Sequence, residues 1–112
     1  MPKNLKSIGQ DAFKDCKYLE KIIFEENSEL SEIAKTAFKG CTNIREATFS
    51  NDYQLEWFRD ADLLRQLEKV TLQEGLKSVP EECFLDGQLV EVRIPKSVQT
   101  IEENAFYDCG KL

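Results

Sequence analysis

The sequence predicts an α/β solenoid, a stack of short coils that each pair one strand with one turn. Three observations carry the prediction. Apolar residues recur at matching offsets, and the interval from Leu5 to Leu30 is 25 residues, within the range typical of repeat architectures. Inside each unit the period changes from three- and four-residue spacing to alternation, as it does where a turn gives way to a strand. One such unit is too small to bury its own apolar side, so successive units must cover one another.

The first unit runs Leu5, Ile8, Ala12-Phe13, Cys16, Leu19, Ile22 and Phe24. The second repeats it as Leu30, Ile33, Ala37-Phe38, Cys41, Ile44, Ala47 and Phe49. The third is degraded. Leu55 and Phe58 hold their offsets, but Asp62-Leu63 stands where Ala-Phe stood and Gln66 where cysteine stood. The pattern resumes two residues early, at Leu67, Val70 and Leu72. The fourth has Leu76, Val79, Cys83-Phe84, Gly87, Leu89, Val92 and Ile94, and a last half unit gives Val98, Ile101, Ala105-Phe106, Cys109 and Leu112. Residues 1–112 are therefore expected to form a single domain of about four and a half repeats.

The segment Leu19-x-x-Ile22-x-Phe24 ends in alternation and predicts a short strand with one buried face. Equivalent strands are expected near Glu46–Phe49, Lys69–Leu72 and Glu91–Ile94. The Leu-x-x-Ile-x-x-x-Ala-Phe-x-x-Cys half predicts a turn followed by a helical or 3₁₀ turn. Phe13, Phe38, Phe84 and Phe106 should stack as a spine. Cys16, Cys41 and Cys109 share one offset, while Cys83 replaces an alanine. All four are expected to be reduced thiols filling a ladder of small buried residues, because a shared offset alone does not bring two sulfurs into bonding geometry.

The chain carries 15 lysines and arginines against 21 aspartates and glutamates, a net charge of −6 at pH 7. That balance disfavours nucleic acid and charge-driven docking on anionic lipid. No apolar run reaches the roughly 18 residues of a membrane span. Histidine is absent, which removes the commonest general base and zinc ligand. The cysteines form no Cys-x-x-Cys pair, and neither a glycine-rich phosphate loop nor a nucleophile motif is present. Asp52, Glu56, Asp60 and Asp62 lack the spacing and central glycine of a calcium loop. Glu25-Glu26 and Glu81-Glu82 have no nucleophile or pocket signature beside them. The expectation is a non-enzyme with no cofactor and no metal.

The phrases Ala12-Phe13-x-x-Cys16, Ala37-Phe38-x-x-Cys41 and Ala105-Phe106-x-x-Cys109, each preceded by Leu-x-x-Ile or its equivalent, resemble the BspA-like class of leucine-rich repeats. Val92-x-Ile94-Pro95-x-x-Val98-x-x-Ile101 also matches that family's strand-proline phrase. The resemblance spans Leu5 to Leu112. Departures are the third unit, Gly87 in place of cysteine, and the lack of proline after the other strands. The resemblance implies a right-handed coil with short parallel strands on a concave face and short helical or 3₁₀ turns on the convex side. It also implies a cell-surface protein that binds or adheres to partner proteins, host extracellular proteins among them. No apolar signal core precedes Leu5, and the cysteines are unpaired, so an intracellular scaffold of the same repeats is the alternative. The chain opens directly on its first unit and stops in mid-unit, with no polar cap. A fragment of a longer array is therefore expected, with apolar ends open to self-association.

Residues between the inward positions of each strand should face outward. They are Lys21, Ile23 and Glu25; Glu46, Thr48 and Ser50; Lys69, Thr71 and Gln73; Glu91, Arg93 and Pro95. Their mixed signs and hydroxyls suit either a solvated sheet or a protein-docking surface whose charge pairs set specificity. Trp57 stands where the other units have Ser7, Glu32, Ser78 and Thr100, all polar, and Tyr53 lies near it. Trp and Tyr are favoured interface anchors. Equally, Trp57 could cover the Ala-Phe-x-x-Cys motif that its unit lacks.

Overall fold

Strands form where the alternation predicts them, and also where it is too short to read. A computed structural model describes residues 1–112. In chain order the elements are β1 (Ser7–Ile8), β2 (Lys21–Ile23), β3 (Glu32–Ile33), β4 (Glu46–Phe49), α1 (Asp52–Asp60), β5 (Lys69–Leu72), β6 (Ser78–Val79), β7 (Glu91–Arg93) and β8 (Thr100–Ile101). The long sheet has the order β2-β4-β5-β7, with every pairing parallel. Its register aligns Ile22, Ala47, Val70 and Val92 on the inward side. A second ladder exists in two separate halves, β1-β3 and β6-β8, also parallel. The result is a parallel-strand solenoid of about four turns.

The turns between ladders are single turns closed by bonds of the 3₁₀ type, such as Ala12 N to Gly9 O, Lys14 N to Asp11 O and Cys16 N to Phe13 O, and none extends into a helix. Two residues after each repeated phenylalanine the backbone is left-handed, with φ of 58° at Asp15, 82° at Gly40, 56° at Asp86 and 56° at Asp108. A right-handed helical turn cannot continue through such a residue, and Asp and Gly tolerate it best. A Cβ at Gly40 would also meet the Asp15 carboxylate, which would have to turn aside.

The one helix lies in the degraded unit. Asn51 caps it, its Oδ1 accepting from Gln54 N at 2.9 Å, with Asp52 in the first turn and Arg59 in the last. Those charges complement the helix dipole. No β-branched residue interrupts Asp52–Asp60, and left-handed Asp62 ends the run (φ 59°). The helix buries Gln54, Leu55 and Phe58. It occupies the place where a strand would join the two halves of the second ladder. Tyr53 Oη accepts from Ile33 N at 2.8 Å on one side, and Asp52 Oδ1 accepts from Lys77 N at 3.1 Å on the other.

The phenylalanine spine is broken rather than continuous. Phe13 stacks on Phe38 at 5.1 Å and Phe84 on Phe106 at 5.4 Å, with interplanar angles of 7° and 11°. Between these pairs the missing ring is replaced by Trp57 and Phe58. Phe58, fully buried, lies 5.1 Å from Phe49, 5.4 Å from Phe38 and 6.1 Å from Phe24. It is the hub of the core.

All four cysteines are free thiols, Cys41 and Cys83 buried, Cys16 and Cys109 only half-buried. Their shared offset has a use that packing alone does not explain. Cys41 Sγ donates to Phe13 O at 2.9 Å and Cys109 Sγ to Phe84 O at 3.0 Å, each reaching the preceding unit. Gln66, at the same offset in the third unit, reaches back likewise, its Nε2 donating to Cys41 O at 3.0 Å and Ile44 O at 3.2 Å. At the last turn, core offsets stand open: Ile101 is 54% exposed and Leu112 53%. In the first turn Ile8, Ile22 and Phe24 are buried.

Candidate functional site: the outer sheet face and the break beside it

Parallel strands in register turn a sequence position into a row across the sheet. The first outward row is Lys21, Glu46, Lys69 and Glu91, and its charge alternates along the sheet. Adjacent strands lie about 4.8 Å apart, so each cation faces an anion. Lys21 Nζ sits 3.5 Å from Glu46 Oε2. Both side chains are largely solvated, so the pair adds at most about 1 kcal/mol of stability. The second row is Ile23, Thr48, Thr71 and Arg93. Arg93 Nε lies 3.3 Å from Glu91 Oε2 on its own strand. Ile23 is 44% exposed, an apolar side chain at one edge of an otherwise polar face.

The structure thus brings together eight of the predicted positions: Lys21, Ile23, Glu46, Thr48, Lys69, Thr71, Glu91 and Arg93. Two expected outward residues depart from that face, Gln73, whose Oε1 is buried, and Ser50. Ser50 is buried, because Gln54 Oε1 accepts from its N at 2.7 Å and its Oγ at 3.1 Å. Tyr53 and Trp57 do not join the eight. They ride on α1, at the break in the second ladder. Tyr53 spends its hydroxyl on Ile33 N. Trp57 is half-buried and crosses Phe38 edge-on at 5.8 Å and 65°.

A cleft opens beside Trp57, lined by Ile33, Lys35, Phe38, Lys39, Gly40, Asp60, Ala61 and Leu63. A second depression lies between the end of α1 and the fourth unit, lined by Arg59, Asp60, Asp62, Arg65, Glu81, Glu82 and Cys83 among others. Its charges are largely spent on one another, Arg65 holding Asp62 through two bonds of 2.9 and 3.0 Å and Arg59 holding Asp60 at 3.1 Å. The Asp62 carboxylate accordingly raises the Arg65 pKa further. Burial pushes the Cys83 thiol up to about 12. Burial likewise raises that of Cys41. Asp52, Asp60 and Asp62 each hold a different protein donor, so these acids do not converge on one point. No helix is long and apolar enough to cross a membrane.

Short parallel strands stacked turn on turn, with apolar ladders inside and polar rows outside, define a leucine-rich-repeat solenoid. The chain belongs to the BspA-type leucine rich repeat family, whose model matches residues 1–112 in six copies. No curated protein matches the chain. Repeats of this kind serve generally as non-enzymatic protein-interaction modules.

Proposed function

We propose that the chain is a non-enzymatic protein-binding or adhesion module of a cell-surface leucine-rich-repeat protein. The observation that carries the reading is the outward face of the long sheet. Four strands in register present two ordered rows, one of alternating charge and one of hydroxyls ending in Ile23 and Arg93. Such a face favours a partner of complementary charge pattern, and steers and orients it more than it tightens it. The partner inferred is a folded protein, on the extracellular side of a host. Tyr53 and Trp57 are a second, separate contact point, and the open apolar end at Ile101 and Leu112 a third, suited to self-association.

The test is a triple charge reversal, Glu46→Lys, Lys69→Glu and Arg93→Glu, assayed by surface binding against a panel of extracellular matrix proteins. Binding to one member should weaken about tenfold or more, with the thermal midpoint almost unchanged. Equal binding by both proteins across the panel would sink the reading.

An intracellular scaffold is the second reading, favoured by thiols that act as hydrogen-bond donors in their reduced form. Disulfides dominate in oxidising compartments. Locating the tagged protein inside or outside its native cell separates the two.

A further inference from the structure

The first and fourth units of this coil donate backbone hydrogen bonds to the next through two amides, that of the repeated phenylalanine and that two residues later. Phe13 N donates to Ala37 O and Asp15 N to Lys39 O, both at 2.7 Å. Phe84 N donates to Ala105 O at 2.7 Å and Asp86 N to Tyr107 O at 2.9 Å. The equivalent pair in the second unit is Phe38 N and Gly40 N. Neither has an acceptor anywhere in the protein: in the third unit Asp62-Leu63 stands at the Ala-Phe offset and the turn after α1 is two residues short. Phe38 is almost fully buried, and Phe38 and Gly40 line the cleft beside Trp57. Amides that face a cleft with no protein acceptor remain free to donate to a ligand. Lys35 and Lys39 flank the cleft, both exposed, while Asp60 at its edge is held by Arg59.

We propose that this cleft binds an acidic peptide segment of a partner protein, whose backbone carbonyls, two residues apart, accept from Phe38 N and Gly40 N. The occupant is defined by what fills the same place elsewhere in the coil: a peptide backbone, presenting alternate carbonyls. Lys35 and Lys39 select acidic side chains on it, and Trp57 supplies an apolar wall. The inference rests on the reading of the chain as a protein-binding module, and it adds a contact point separate from the long sheet.

The probe is a capped synthetic peptide of residues 102–108, Glu-Glu-Asn-Ala-Phe-Tyr-Asp, the segment that supplies the Ala105 and Tyr107 carbonyls to the fourth unit. It is titrated into the full chain, with a scrambled peptide as control. Trp57, the single tryptophan, reports by its emission, and amide NMR shifts report the site. Saturable binding is expected, with the largest shifts at Phe38 and Gly40. Lys35→Glu with Lys39→Glu should weaken it about tenfold or more, while Lys69→Glu on the sheet leaves it unchanged. Absence of saturable binding, equal binding of the scrambled peptide, or shifts confined to Phe106 and Asp108 would each overturn the proposal. Concentration-dependent shifts at Phe38 without peptide would assign the cleft to a second copy of the chain and overturn the partner. Failure of this titration alongside lost partner binding in the sheet-face variant would leave the proposed function standing without the cleft.

Discussion

Removing the ring of Phe58 should cost more than removing that of Phe106, the last ring of the repeated Ala-Phe motif. Phe58 is fully buried and faces three other phenylalanines within 6.1 Å, besides its neighbour Trp57. A buried Phe-to-Ala change costs about 3–5 kcal/mol, and the upper half applies where the cavity cannot collapse. Here four aromatic rings and the capped helix hold the walls apart, so about 4–5 kcal/mol is expected. Phe106 is only half-buried and stacks on one ring, Phe84, at 5.4 Å. Part of its surface is already wet and only one ring packs on it, so Phe106→Ala should cost about 1–2 kcal/mol. A chain of this length has a total stability of about 6–17 kcal/mol, so the first loss is a large fraction and the second a small one. With a urea slope of about 2 kcal/mol per molar, Phe58→Ala lowers the midpoint by about 2 M and Phe106→Ala by under about 1 M. The assay is urea unfolding followed by Trp57 emission and far-ultraviolet circular dichroism. A midpoint for Phe106→Ala as low as that for Phe58→Ala would refute the hub.

Three further outcomes are open to measurement. With its thiol pushed up to about 12, Cys83 is ionised in about one molecule in ten thousand at pH 8, so in native protein Cys16 and Cys109 should alkylate well before it; mass spectrometry that finds Cys83 labelled first contradicts this. The raised Cys83 value favours the protonated folded state, so stability is full below the ordinary thiol value of 9.0 and falls as pH rises from there toward about 12; thermal midpoints between pH 8 and 11 should drop less in Cys83→Ala than in the parent, relative to each protein's own value at pH 8. Tyr53→Phe deletes the acceptor of Ile33 N and should cost about 1–3 kcal/mol, with faster hydrogen exchange at the Ile33 amide; unchanged exchange there would show that the hydroxyl bond is not made in solution.

Much of the long sheet was legible because alternation over three or four residues fixes both its strands and its inward face. Its last strand stops at Arg93 instead of Ile94, where the inward residues lose cover. The second ladder was not legible. Its strands are two residues long, too short for a period, and sit inside a stretch whose spacing imitates a helical turn. What keeps that stretch from extending into a helix is backbone handedness at Asp15, Gly40, Asp86 and Asp108, which apolar spacing does not encode. The helix had local signals, Asn51 ahead of an unbranched run with Arg59 at its end, but they were masked by Leu55 and Phe58 keeping repeat offsets. Ser50 was misplaced for a related reason: its outward parity is overruled by a neighbour, Gln54, that draws it inside. The outer rows followed directly from parity. The unpaired amides at Phe38 and Gly40 left no mark of their own, only the mismatch of the unit that should have met them.

The helix that bridges the two half-ladders also limits how this gene could grow. Regular turns can be copied or lost by unequal recombination, since each offers its neighbours the same donors and acceptors. The third turn cannot. A duplicate of it would set one α1 against another, where Tyr53 finds no Ile33 amide and Asp52 no Lys77 amide. Length variation among descendants of this sequence is thereby steered to either side of residues 51–62, with the middle inherited as a block.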